Sequence, residues 1–255
     1  MTRARTLCSG LFYLIVAGCS QAPSYGQFEG VTMGTYYKIT GRCPSLPSDA
    51  IQAAVVEELI QVNKQMSTYD DSSELTQFNQ SAELIWIEVS KELVTVVEAA
   101  ERISLRSGGA FDITVGPLIN IWGFGPGGAV TAAPSVEAVQ AARARVGFKY
   151  LESRSSAPAL RKSRALVVDL SAIAKGHGVD RVAQVLDQAD CTDYLVDIGG
   201  EARSRGLSPR QTSWRVGIEV PDSQLMGSIQ RVVSLLDTAV ATSPLLTAMC
   251  TSPRI

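Results

Sequence analysis

Apolar side chains recur at three- and four-residue spacing in four stretches of the chain and alternate with polar ones in several others. Ile51, Val55, Leu59, Val62 and Met66 make one stripe, which predicts an amphipathic helix with Ser48 as its N-cap. Leu93, Val97, Ala100 and Ile103 predict a second helix over Ser90 to Ser107, ended by Gly108-Gly109. Ser135 to Val146 reads as a third, closed by Gly147, and a fourth starts near Ile173 with Val179, Val182, Val185 and Leu186 inward. Thr32 to Thr40 alternates like a strand, and short β-rich runs follow at Ala165–Leu170, Tyr194–Ala202, Trp214–Val220 and Arg231–Asp237. Gly123 to Gly128, GFGPGG, reads as a loop. Helices alternating with mostly antiparallel-looking strands predict an α+β fold.

The N-terminus has a different pattern. Arg3 and Arg5 precede an apolar run from Leu11 to Val16 and then Ala17-Gly18-Cys19. This describes a signal peptide over residues 1–18, too short to span a bilayer. LIVAGC fits a lipobox, so Cys19 is the expected lipidation site, with an ordinary signal peptide and an incidental cysteine as the alternative. The expectation is a lipoprotein anchored in the inner or outer membrane and facing the periplasm. Ser20, in place of an aspartate, favours the outer membrane. Residues 19–30 are polar and carry Pro23, Gly26 and Gly30, which reads as a tether.

Charge excludes some partners. Residues 1–18 hold two arginines and no acid, so their removal leaves 21 basic against 25 acidic side chains, a net charge of −4. That balance gives no long-range attraction to nucleic acid or to an anionic membrane face, so lipid rather than charge is expected to hold the protein at a membrane. With Cys19 acylated, Cys43, Cys191 and Cys250 remain, with no CxxC and no zinc-like spacing. No structural disulfide is predicted.

The chemistry concentrates in DLSAIAKGHGVD (Asp169–Asp180) and VDIGGE (Val196–Glu201). Small residues, flanking acids and one lysine suit a backbone that passes close to an anionic ligand. The plain alternative is a strand running into a helix N-terminus with Ser171 as cap. These segments resemble the ApbE family of flavin transferases, as do TMGTYY (Thr32–Tyr37), MSTYDDSSELTQFN (Met66–Asn79) and GGAFDITVGPLINIWGFG (Gly108–Gly125). These blocks stand in the family's order across Val31 to Ser243.

The resemblance implies an ApbE-like fold and transfer of FMN from FAD to a threonine hydroxyl of a target flavoprotein, with magnesium assisting and AMP leaving. It implies flavin-nucleotide contacts at Met33, Tyr69, Ala110, Phe111, Asp112, Asp169 and Lys175, and a magnesium ligand in the carbonyl of Ala172. Physical reasons accompany several of these. A flat ring stacks on Tyr69, a thioether packs at its edge, and Lys175 meets phosphate as a point charge. Each has a plainer alternative: Met33 and Phe111 as core, Asp112 as a turn cap, Lys175 as a solvated lysine. Trp122 and Phe124 resemble the family's aromatic-glycine loop, and Asp197 and Glu201 either line the nucleotide site or cap a turn. His177, the only histidine, has no partner set that makes it catalytic.

The resemblance covers an expected domain over 31–243 and ends at Ala241-Thr242-Ser243, leaving 244–255 as a non-homologous tail. The fold is therefore expected to be incomplete at its C-terminus, without the family's further magnesium ligands. A frameshift or a naturally shortened relative would each produce this ending. The second would leave a FAD-binding lipoprotein without transferase activity.

Overall fold

The computed structural model describes residues 24–44, 49–220 and 228–242. Two antiparallel hairpins build its main sheet. β1 (Gly26–Thr32) pairs with β2 (Thr35–Arg42), and β6 (Asp193–Ile198) pairs with β7 (Glu201–Arg205). Both turns have two residues with positive φ, Met33-Gly34 at 48° and 70° and Gly199-Gly200 at 54° and 94°. That is the backbone a tight hairpin between right-twisted strands requires. β2 pairs antiparallel with β6, and β10 (Ala239–Ala241) with β7, giving the order β1-β2-β6-β7-β10. Because β2 and β6 run in opposite directions, both turns lie at the same end of the sheet.

Two helices cover this sheet, α1 (Asp49–Met66) and α6 (Ala174–Gln188). The first half of the α1 stripe, Ile51, Val55 and Leu59, joins Ile39, Val182, Leu186, Val196 and Ile198 in one core. Its second half, Val62 and Met66, enters another core, with α2 (Glu74–Gln80), α3 (Lys91–Arg106) and the buried Ile113, Leu166, Val168 and Leu170. A small sheet of order β3-β5-β4 closes that side, from β3 (Ile87–Glu88), β4 (Leu151–Arg154) and β5 (Ala159–Lys162). The short helices α4 (Gly116–Ile121) and α5 (Val136–Arg143) and the hairpin of β8 (Trp214–Glu219) with β9 (Ile229–Leu235) complete the fold.

At the end of the main sheet opposite the turns, a disulfide joins Cys43 to Cys191. This corrects the expectation of none. The partners are 148 residues apart, and only the β2–β6 register brings them together. Beside them Arg42 forms an ion pair with the buried Asp193. Burial alone would raise the Asp193 pKa, but the Leu207 amide (2.7 Å), the Thr192 hydroxyl (2.7 Å) and the Arg42 guanidinium hold it below the usual carboxylate range.

Other expectations change. Gly26–Gly30, read as tether, belong to β1. Ile103 is exposed, and Ser104 is buried in its place with its hydroxyl donating to the Ala100 carbonyl (3.0 Å). Ala165–Leu170 alternates buried positions but forms only an isolated bridge, Val115 with Val167. The Asn79 amide takes the place of a neighbouring strand, donating to the Val168 carbonyl and accepting from the Val168 amide, each at 2.8 Å. The expected cap Ser48, the lipidation site Cys19 and the signal peptide lie outside the described residues. Among the described residues no helix is long and apolar enough to cross a membrane.

Replacing Cys43 and Cys191 together by alanine is expected to lower stability by about 2–4 kcal/mol, because the bridge closes a very long loop. Denaturant midpoints of the oxidised protein and the double variant check the magnitude. A non-reducing peptide map must show the 43–191 crosslink.

Candidate functional site

The turn end of the main sheet opens onto a cavity of about 570 Å³ between the β1–β2 turn, the end of α1 and the start of α6. Its size suits a small-molecule ligand. Met33, Tyr69 and Lys175, expected at a flavin site from three separate segments, line it together with Asn63, Ser67 and Ser171.

Met33 owes its place to backbone geometry. A non-glycine residue at φ 48° is uncommon, and the two-residue turn imposes it here. The side chain then packs against both cores. Room for it comes from Gly178 in α6, where a Cβ would stand 2.8 Å from the Met33 methyl. Asn63 fixes the turn, its amide donating to the Thr32 hydroxyl at 3.2 Å. The alternatives of core filler and cavity wall therefore merge at Met33.

Lys175 lies in the first turn of α6, which carries no acid there and no side-chain N-cap on Ile173. The helix dipole opposes a cation at this position. Glu201 offsets it, with a carboxylate oxygen 2.7 Å from the ammonium, and the Gly199 carbonyl accepts from Lys175 at 3.2 Å. The Glu201 contact is a close charge pair rather than an aligned hydrogen bond. An anion entering the cavity meets the lysine and the helix N-terminus at once.

Tyr69 is 67% exposed, and its hydroxyl donates to the Phe124 carbonyl at 2.9 Å. That bond ties the aromatic-glycine loop, with exposed Trp122 and Phe124, to the cavity rim. Tyr36 donates to Asp197 at 3.2 Å, and burial, then Asp197, push its phenol pKa upward. Asp197 also accepts from the Gly200 amide at 3.1 Å, which caps the β6–β7 turn.

The remaining expected site residues lie apart from the cavity lining. Asp112 accepts from the Thr114 amide (2.7 Å) and hydroxyl (2.6 Å) through one oxygen and from the Phe148 amide (2.9 Å) through the other. It fastens the turn that holds the exposed Ala110 and the half-buried Phe111, which packs on the second core. Asp169 is buried and accepts from the Ser171 amide at 2.8 Å, shaping the entry to α6. Ser171 is not the cap of that helix. Ala172 is exposed beside it. Among the described residues no three His, Cys, Asp or Glu side chains cluster to hold a metal ion. The Ala172 carbonyl alone does not make a magnesium site, because one neutral oxygen cannot compete with water.

Sequence reading missed Asn63, Asn79 and Gly178. The first had a signal: a polar residue following Val62 at the seam of an apolar stripe. The other two act through partners about 90 and 145 residues away in sequence, Val168 for Asn79 and Met33 for Gly178, and had none.

A second cavity, about 520 Å³, lies on the other side of α6 and is lined by His177, Glu201 and β10. His177 Nε2 is buried without a partner, and burial, followed by Arg181, lowers its pKa from 6.5.

The ApbE family profile matches residues 33–245. The chain is 40% identical over 232 residues to a FAD:protein FMN transferase of Vibrio cholerae, covering 90% of this chain and 69% of that protein. It is 34% identical over 259 residues to a FAD:protein FMN transferase of Escherichia coli K12, covering 95% and 71%. The solved flavin transferase ApbE from Vibrio cholerae superposes with a TM-score of 0.79 at 40% identity, covering 86% of this chain and 71% of that one. The apo flavinyl transferase ApbE of Pseudomonas stutzeri gives 0.74 at 33% identity, covering 84% and 69%.

The depressed His177 pKa fixes a pH response. A neutral imidazole is favoured in the fold, so its contribution is complete above the unfolded value of 6.5 and is lost as pH falls through the lower folded value. His177→Gln is expected to flatten the fall in stability between pH 7 and pH 5. Thermal melts of both proteins across that range check it, and parallel pH profiles would refute it.

Proposed function

The chain belongs to the ApbE family, and from that premise we propose that it transfers FMN from FAD to a threonine hydroxyl of a target flavoprotein. The hydroxyl oxygen attacks the flavin-side phosphorus of the FAD pyrophosphate, a new P–O bond forms, the bond to the AMP phosphate breaks, and the hydroxyl proton is lost. The observation that carries this reading is the convergence of Met33, Tyr69 and Lys175 on one cavity.

Each residue has a task that its setting supports. Tyr69 offers an open aromatic face to the isoalloxazine ring, and Met33 packs at its edge. Lys175, with the N-terminus of α6, offsets charge on the pyrophosphate. Glu201 holds the ammonium in place between turnovers. Positioning and charge neutralisation are the main contributions a protein makes to phosphoryl transfer.

Magnesium dependence is part of the proposal in a limited form. The described residues do not form a resident site, so the ion would be held mainly by substrate phosphates and water, as magnesium often is. The proposal also places the protein at a membrane, anchored by lipid on Cys19 and facing the periplasm, which the sequence from Arg3 to Cys19 supports.

In-gel flavin fluorescence of a threonine-bearing acceptor, after incubation with the protein, FAD and magnesium, tests the reaction. A covalent fluorescent band is expected, and chelation with EDTA is expected to abolish it. Lys175→Ala is expected to lower the rate by about 10- to 160-fold, the worth of a charge-assisted contact of about 1.5–3 kcal/mol. Tyr69→Ala is expected to raise the FAD dissociation constant by about 2- to 12-fold through lost stacking. FAD binding with no band, beside a working Vibrio cholerae relative, would leave a flavin-binding protein without transferase activity.

A further inference from the structure

Charge is unevenly distributed along the chain. Of 23 basic side chains, seven lie in residues 143–164, a stretch with one of the 25 acids. The fold gathers several of them at the small sheet. In the β4–β5 register Leu151 and Ser153 fall opposite Lys162 and Leu160 on the core side, while Arg154 and Arg161 share the outer face. There both guanidiniums stack on Trp86, at 4.8 and 4.9 Å from the ring centroid. Beside this face Lys149 and Arg164 lie over Tyr150, at 5.1 and 3.8 Å. Glu152 neutralises Arg161 at 2.5 Å, Glu88 lies in β3 opposite Ala159, and Glu83 precedes Leu84 in the chain. Lys149, Arg154 and Arg164 are exposed and in no ion pair among the described residues.

Immediately before Trp86, Leu84 and Ile85 project into solvent, 67% and 52% exposed. Leu84 has φ 63° and is held by its amide, which donates to the Lys162 carbonyl at 2.8 Å. A leucine in the left-handed region is strained where glycine would not be, and here that strain accompanies exposure rather than burial. Two adjacent aliphatic side chains at a tip, an aromatic belt behind them and unpaired cations around them match the interfacial zone of a bilayer with anionic headgroups.

We propose that this outer face is a peripheral contact for an anionic phospholipid membrane. Leu84 and Ile85 enter the headgroup–acyl boundary, Trp86 and Tyr150 sit at headgroup depth, and Lys149, Arg154 and Arg164 meet the phosphates. The net charge of the chain conceals this attraction because most of the acids lie elsewhere. A docked acidic protein would use the cations but has less use for a projecting aliphatic pair, which favours lipid.

The test uses the full chain with vesicles containing brominated phosphatidylglycerol, so that any contribution of the N-terminus is common to all samples. The signal is the part of the tryptophan emission that Trp86→Phe removes, since Trp122 and Trp214 also emit. Quenching of Trp86 is expected with anionic vesicles and is expected to be markedly weaker at high salt and with phosphatidylcholine vesicles, where a lipid on Cys19 alone holds the chain. Each cation at such a surface strengthens partitioning about fivefold, so Arg154→Glu with Arg164→Glu is expected to weaken it by more than about 25-fold. Leu84→Ser with Ile85→Ser is expected to reduce quenching depth while thermal melts stay unchanged, because both side chains are exposed. Equal quenching by neutral vesicles, no quenching at all, or indifference to the charge reversals would overturn the proposal. So would capture of an acidic protein at this face without any vesicle response.

Discussion

The pairing of β2 with β6 is the constraint on which the rest of the structure depends. It runs from Arg42 opposite Asp193 to Tyr37 opposite Ile198, and its two ends are built for different purposes. At one end a disulfide, an ion pair and the amide and hydroxyl donors to Asp193 fix the register. A one-residue slip would turn Ile39, Val196 and Ile198 out of the core. At the other end both strands run into tight turns: the β1–β2 turn lines the candidate site, and the β6–β7 turn holds Lys175 through the Gly199 carbonyl. Locking one end of the pair leaves the other free to be shaped by function.

That shape uses local features that would be costs elsewhere. Met33 accepts a left-handed backbone, Lys175 stands at the wrong end of a helix dipole, and Tyr69 leaves most of its ring in water. Each is offset by a particular neighbour: Gly178 leaves room for the thioether, Glu201 balances the ammonium, and the Phe124 carbonyl receives the phenol. Departures from local preference that cluster around one cavity are what a binding site looks like in energetic terms. α1 links this site to both cores, because the upper part of its stripe packs under the sheet and the lower part under α3.

Much of this was legible in the sequence. The α1 stripe emerged residue for residue, since a helix that buries one face must repeat its apolar positions. Met33, Tyr69 and Lys175 were identifiable through the family blocks that carry them. Less visible was the turn around Asp112, whose carboxylate is occupied by Thr114 and Phe148 and lies apart from the cavity lining. The alternation in Ala165–Leu170 suggested a strand, because buried alternation is the same whether a neighbouring strand or the Asn79 amide satisfies the backbone. The shift from Ile103 to Ser104 has a similar origin: helical periodicity does not distinguish a four-residue step from a three-residue one.

By itself the sequence determined the four longest helices, the α+β class and the family, and it nominated residues for a flavin nucleotide, because periodicity and short motifs are local properties; the short α2 and α4 carry too few turns to show a period. Tertiary structure alone decided which distant groups meet. Cys43 reaches Cys191, Glu201 reaches Lys175, Gly178 makes room for Met33, and the guanidiniums of Arg154 and Arg161 cover Trp86. The physical reason is that strand register and chain crossing, which set these distances, are fixed by the combined packing of both cores. No single segment encodes them.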